Sequence, residues 1–427
     1  MYHAALREVM LISIKVVDAI MGTGKTSAVI TYINSHPEEK FVYITPYLKE
    51  AHRIKTACAR ARFVEPSNKL KRFGFKKLSH TAALIKEGRN IASTHQAFKN
   101  YTPDMLDDIH EKGYTLIIDE NVDVLELLNI DPCDIQLAID AGYVKLEDGV
   151  CTLARDDYSG QLFAELFNIL RSRKVSMITD QEDNAFFYWA MPPELITAFK
   201  EVYICTYLFE GQSLHHLLVM NNIPYERIGI ERTPTGGYRF GNYPGYTPEY
   251  VASIKDRLHI LDNERLNEIG DDYYSLSMNW FKGEKGDIEQ LRRNIANYYT
   301  NVEPDGGSGK RLWGTFNAEF SPLKGKGYTK SFLTFNARAT NEYRGRDRLV
   351  YVANIFMNVI EKLFYKQHGI EVNEDLYATS IMLQWIWRSA IRDGLDIYIY
   401  IPSRRMRTLL YNWIDSLTDG GANERRV

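Results

Sequence analysis

Asp18-Ala19-Ile20-Met21-Gly22-Thr23-Gly24-Lys25-Thr26 restricts this chain more than any other stretch of it. The β-branched, apolar run Leu11–Val17 precedes it, and Ser27–Ile33 after it can continue as a helix. Strand, glycine loop and helix in that order form the context of a phosphate-binding loop. Gly22 and Gly24 let successive backbone N–H groups, Thr23 among them, turn inward around β- and γ-phosphate oxygens, and the helix start adds the positive end of its dipole. Lys25 then neutralises phosphate charge, and the Thr26 hydroxyl can ligate Mg²⁺. The strict pattern has glycine where Ala19 stands. A glycine turn beside a stray lysine is the bland alternative, and the flanking strand and helix argue against it.

A phosphate loop calls for a metal carboxylate from the same sheet. Tyr114–Ile118 is an apolar run ending in Asp119-Glu120. A buried strand there would deliver Asp119 to the Mg²⁺ shell at its C-terminal end, with Glu120 placed to orient and deprotonate an attacking water. Such runs are common by chance, but one downstream of a phosphate loop carries more weight.

Together these residues resemble a superfamily 2 helicase or translocase, the broad group containing the DEAD/DEAH-type ATPases. Ala19–Thr26 is similar to motif I and Asp119-Glu120-Asn121-Val122 to the DExx form of motif II. Between them, Ile44-Thr45-Pro46 resembles motif Ia and Ser93–Phe98 resembles motif Ib. The resemblance implies nucleic-acid backbone contacts at Thr45, Pro46, Thr94 and His95. Cys205-Thr206-Tyr207 lies where motif III would, implying a coupling role for Thr206, although Tyr207 departs from the family pattern.

Gln384, Arg388 and Arg392 recur at i, i+4 and i+8, which on a helix places them on one stripe. A solvated basic face is the plain reading of such a stripe. The stretch Gln384–Arg392 also resembles motif VI, in which arginines reach from a second lobe to the γ-phosphate and neutralise transition-state charge. Trp387 replaces the usual glycine and the second arginine comes one residue late, so Arg388 and Arg392 are taken jointly, with Gln384, as catalytic candidates. Phe332–Phe335 reads as a strand leading to a motif V candidate, with Thr340-Asn341 near nucleic acid and Arg344-Gly345-Arg346-Asp347 as its Arg-Gly-x-Asp part. The apolar spacing of Val352, Ile355, Phe356, Val359, Ile360 and Leu363 predicts a core-facing helix after it.

With 427 residues, 45% hydrophobic and 25% charged, the chain has material for two cores. No apolar run approaches the roughly 20 residues of a membrane span and no signal-peptide pattern opens the chain, so a cytoplasmic protein without membrane partners is expected, in a host cytoplasm if phage-encoded. Cys58, Cys133, Cys151 and Cys205 are far apart and indicate neither a zinc site nor a disulfide framework. The net charge of −3 gives no general affinity for nucleic acid, so that case is local. Lys49–Lys77 carries ten basic residues against Glu50 and Glu65, and Lys324–Arg348 carries a second cluster interleaved with Tyr328, Phe332 and Tyr343. Phosphate contacts and base stacking suit these patterns, and so does an ordinary solvated face.

Strand-like segments at 11–17, 41–45, 90–94, 114–119 and 202–206 alternate with helical ones, predicting a mostly parallel α/β sheet. Residues 121–200 read as a helical insertion with Leu162, Phe163, Leu166, Phe167 and Leu170 on one side. The turn-rich 233–246 segment reads as an excursion of a second lobe, whose strands fall at 274–280, 332–335 and 396–401. The expected fold is α/β, two RecA-like P-loop NTPase lobes at 1–212 and 213–427 with mostly parallel sheets flanked by helices and a nucleotide cleft between them. The resemblance implies ATP and Mg²⁺ as cofactors and a small phage or mobile-element replication helicase, working with replication or recombination proteins. Met1–Asp18 contains no glutamine for an adenine-recognition motif of the RNA-directed subgroup, which favours DNA over RNA. The rival readings are a terminase-like packaging ATPase and an ATP-gated nucleic-acid-binding protein without unwinding.

Overall fold

The computed structural model describes residues 12–418 except 162, 244, 284, 305–306 and 336–341. The chain opens with β1 (Ser13–Asp18), β2 (Phe41–Thr45), β3 (Ile91–Thr94) and β4 (Thr115–Asp119). It then leaves to form β5 (Leu125–Leu128), β6 (Val144–Glu147), β7 (Val150–Leu153), β8 (Val175–Thr179) and β9 (Ala185–Ala190). It returns as β10 (Glu201–Thr206), β11 (Glu226–Arg232) and β12 (Tyr238–Gly241), and ends with β13 (Leu258–Ile260), β14 (Arg311–Gly314), β15 (Arg348–Tyr351) and β16 (Ile397–Tyr400).

The first sheet runs β12-β11-β1-β10-β4-β2-β3, parallel except for the β11–β12 hairpin. Every residue of β2 and β4 is buried, as expected for parallel strands covered on both faces. Alternation divides their side chains. Val42, Ile44, Leu116 and Ile118 join one core, and Phe41, Tyr43 and Ile117 join the other.

The second main sheet, β13-β16-β15-β14, is wholly parallel. Helices Glu374–Ile386 and Arg404–Thr418 contribute Met382, Trp385, Met406 and Leu410 to one of its cores, while Leu291, Ile295 and Tyr298 enter the other. Helix Val359–Gln367 crosses back, burying Ile360, Phe364 and Tyr365 in a core of the first sheet. The protein is thus a mixed α/β molecule with mainly parallel sheets flanked by helices.

Several sequence expectations are corrected. The 121–200 insertion is built on an antiparallel sheet, β5-β9-β8-β7-β6, rather than on helices alone. Helix Ala164–Ser172 does form and packs Leu166 and Phe167 beside Val175 and Phe187. The turn at 233–237 joins β11 to β12 and so belongs to the first sheet, which therefore extends past residue 212. Residues 274–280 form no strand, and Phe332 contributes a single bridge to Trp313. The helix expected from Val352 starts at Val359, because Asn354 donates its side-chain amide to the carbonyls of Tyr273 and Ser275 and Asn358 caps the helix by accepting from Ile360 N–H.

Candidate active site

Register aligns the C-terminal ends of the first sheet. Asp18 lies opposite Thr206, Cys205 opposite Asp119, and Ile118 opposite Ile44. That edge is where open α/β sheets place ligands. Gly22 and Gly24 take φ of +86° and +101°, so the loop from β1 closes onto helix Lys25–Ser35 through backbone conformations that favour glycine. Asp18 anchors the start of the loop by accepting from Leu208 N–H at 2.8 Å and Phe209 N–H at 3.3 Å. Lys25 donates inward to the carbonyls of Ala19 and Ile20. Burial lowers its pKa to about 8, against a rise caused by the neighbouring acids.

Asp119 is buried and accepts from the Tyr43 hydroxyl at 2.6 Å. Burial, reinforced by Glu120, raises its pKa to about 6. Glu120 has φ +65°, a left-handed backbone uncommon for this residue type, and its buried Oε2 has no hydrogen-bond partner.

The second unit completes the site. Gln384, Arg344, Arg388 and Arg392 share with Lys25, Thr26, Asp119 and Glu120 the lining of one cavity of about 430 Å³. Arg388 is buried and lies 3.8 Å from Glu120 Oε1. Arg392 packs against the glycine loop after β1, since a Cβ on Gly22 would stand 3.5 Å from Arg392 Cγ. The three residues do not share one helix as expected. The helix ends at Ile386, and a turn followed by the short helix Ala390–Asp393 carries both arginines to the cavity.

The remaining candidates divide. Thr206 donates to Gln212 Oε1 at 2.6 Å, and Gln212 donates in turn to the Tyr207 carbonyl. Tyr207, the departure from motif III, accepts from the Trp413 indole of the last helix at 2.7 Å and so ties β10 to the second unit. Thr45 and His95 are buried, and His95 Nε2 lies 3.0 Å from the Asp119 carbonyl. Their side chains therefore do not present themselves to a polymer, contrary to the expectation. Pro46 is half-buried, and Thr94 caps the next helix by accepting from Ala97 N–H. Thr340 and Asn341 lie outside the described residues.

Sequence reasoning missed Tyr43 and Tyr238. Tyr43 carries no signal beyond strand alternation. Tyr238 was findable from the Thr-Pro-Thr-Gly-Gly turn before it, which marks a hairpin. Its ring lies over the loop, and a Cβ on Gly24 would fall within 2.4 Å of it. Among the described residues no three His, Cys, Asp or Glu side chains form a metal cluster, and no helix is long and apolar enough to cross a membrane.

Residues 252–414 match the family described as the YonV C-terminal Rossmann-like domain. Over 412 residues the chain is 35% identical to the SPbeta prophage-derived uncharacterized protein YonV of Bacillus subtilis (strain 168), covering 94% of this chain and 99% of that protein. Among solved structures, S. tokodaii Xpd4 aligns over 97% of this chain and 95% of its own, at 12% identity and a TM-score of 0.48. A hypothetical ATP-dependent RNA helicase from Sulfolobus tokodaii aligns over 92% and 88%, at 10% identity and a TM-score of 0.26. Neither structural likeness speaks to activity. Identity of this level along nearly the whole of both chains establishes that the protein belongs to the YonV family.

Proposed function

We propose that this protein is an ATP-dependent nucleic-acid helicase or translocase of the superfamily 2 type, encoded by a phage or mobile element. The observation that carries the reading is the composite cavity, in which a phosphate loop and two acids from one sheet meet a glutamine and arginines from another unit. The two RecA-like lobes would divide after Gly241, since β11 and β12 pair into the first sheet.

Lys25 would exchange the carbonyls of Ala19 and Ile20 for the β- and γ-phosphates. Thr26 and Asp119 supply hard oxygen donors suited to Mg²⁺, which when bound neutralises phosphate charge. Glu120, with an unsatisfied buried oxygen beside the cavity, would orient and deprotonate the attacking water. Arg388 and Arg392 would stabilise charge on the transferred group from the second lobe. Closure on ATP and reopening after hydrolysis would shift each lobe's grip on a polymer in turn.

The polymer interface would use the exposed cations of 49–77, where Lys49, Arg60, Arg62, Lys69, Lys71, Arg72 and Lys76 face solvent. DNA is the preferred track, with replication or recombination proteins as partners. The test is steady-state ATP hydrolysis by wild type and Glu120→Gln, alone and with single-stranded DNA, duplex DNA or RNA. Stimulation by one polymer that Glu120→Gln abolishes supports the proposal and names the track. Hydrolysis indifferent to all three polymers contradicts it.

A further inference from the structure

A second cavity, of about 500 Å³, abuts the phosphate loop over Asp18–Thr23 without reaching Lys25, Asp119 or Glu120. Met21, Gly22, Tyr238, Trp387 and Arg392 line both cavities, so the two adjoin across the loop. The character of the second is aromatic. Tyr238, Tyr243, Tyr246, Tyr250 and Trp387 all face it. Tyr246 is fixed to the loop itself, its hydroxyl accepting from Ile20 N–H at 2.7 Å, and its ring centroid lies 5.6 Å from that of Tyr250. The small hydroxyls at the rim are engaged within their own segment. Ser253 donates to the Tyr250 carbonyl at 2.7 Å, and Thr247 accepts from Tyr250 N–H at 3.3 Å. The walls thus offer flat aromatic faces beside the tyrosine hydroxyls and the guanidiniums of Arg232, Arg257 and Arg392, while the Asp18 carboxylate in the lining is already engaged by Leu208 and Phe209 N–H.

A nucleotide whose phosphates lie at Lys25 and Thr26 must carry its base off to one side of the loop. The adjoining cavity has the size and the flat aromatic lining for a base and ribose. Resting on the nucleotide-site reading above, we propose that Tyr238, Tyr243, Tyr246, Tyr250 and Trp387 form the nucleobase pocket and hold the base by stacking rather than by hydrogen-bond readout. The ligand class is purine nucleoside triphosphates, adenine and guanine alike, since the larger purine rings gain most from stacking.

The test is equilibrium binding by calorimetry of ATP, GTP and inorganic tripolyphosphate, each with Mg²⁺, to the full chain carrying Glu120→Gln so that the nucleotides stay intact. ATP and GTP are expected to bind within about tenfold of one another, and each roughly tenfold or more tighter than tripolyphosphate, the order expected for one stacked base. Tyr250→Ala and Tyr243→Ala should each weaken both nucleotides by about tenfold while leaving tripolyphosphate unchanged. Tyr243 is partly exposed, so its replacement is tolerated even where Tyr250→Ala fails to fold. Tripolyphosphate binding as tightly as ATP, or equal losses for all three ligands, overturns the pocket while the phosphate site stands. A preference for ATP over GTP of about a hundredfold or more overturns recognition by stacking alone. Absence of binding by all three ligands removes the nucleotide-site reading, and the pocket with it.

Discussion

Asp119 and Lys25 are perturbed in opposite directions by the same burial, and both shifts are measurable. The Asp119 pKa is raised from 3.8 to about 6, so between those values the folded chain holds a proton that the unfolded chain has released. Its contribution to stability is therefore lost as pH rises through about 6. Lys25 is lowered from 10.5 to about 8, so stability recovers as pH rises between those values. At neutral pH both groups work against folding. Asp119→Asn, which keeps an acceptor for the Tyr43 hydroxyl, should stabilise the protein at pH 7 by on the order of 2 kcal/mol. Urea denaturation checks this, and a destabilised variant would refute the assignment. In the proposed hydrolysis, kcat/KM for MgATP should fall below about pH 6 as Asp119 protonates and above about pH 8 as Lys25 loses its charge. A profile flat from acid to alkaline pH would rule this out. That Lys25, Asp119 and Glu120 come together was legible because a glycine loop between strand and helix and an acid-ended strand leave local signatures. The Tyr43 hydroxyl was not, because its partner is 76 residues away in sequence.

At the level of elements, legibility follows burial. The strands beside the phosphate loop were readable as apolar runs because both faces are covered, and β2 and β4 are buried throughout. The inserted sheet was misread because β5 to β7 are four-residue strands with mixed exposure, while the adjoining helix carries a strong apolar stripe. The Gln384–Arg392 stripe identified residues that do meet in space, but for the wrong reason, since the helix ends before the arginines. Close approach between elements leaves the faintest trace in sequence. A Cβ on Gly270 would lie 1.9 Å from the Pro402 carbonyl oxygen just after β16, a backbone contact that no side-chain rotation relieves. Gly270→Ala should therefore cost about 2–4 kcal/mol. A thermal midpoint unchanged from wild type would show that this contact yields at little cost.

For the whole molecule, the consequential feature is that neither sheet alone makes the site. Tyr207 meets Trp413, helix Val359–Gln367 completes a core of the first sheet, and Arg392 rests on the phosphate loop. A nucleotide in the cavity would therefore touch both units, as the proposed motor requires. The exposed cations of 49–77 lie on the unit that carries the Gly22–Gly24 loop. If these cations hold the polymer as proposed, its affinity should fall steeply with salt, and replacing Lys69, Lys71 and Arg72 together with alanine should reduce the slope of log affinity against log salt by about two to three. An unchanged slope in fluorescence anisotropy would place the polymer elsewhere.

The composite character of the site is tested most directly by Arg388→Ala, which removes a second-unit group 3.8 Å from Glu120 and leaves the loop and both acids in place. Measured as polymer-stimulated ATP hydrolysis, kcat should drop by about a hundredfold or more with KM for ATP changed only a few-fold, because in the proposed mechanism the arginine acts on charge that develops in the transition state. A kcat equal to that of wild type would contradict catalysis across the two units.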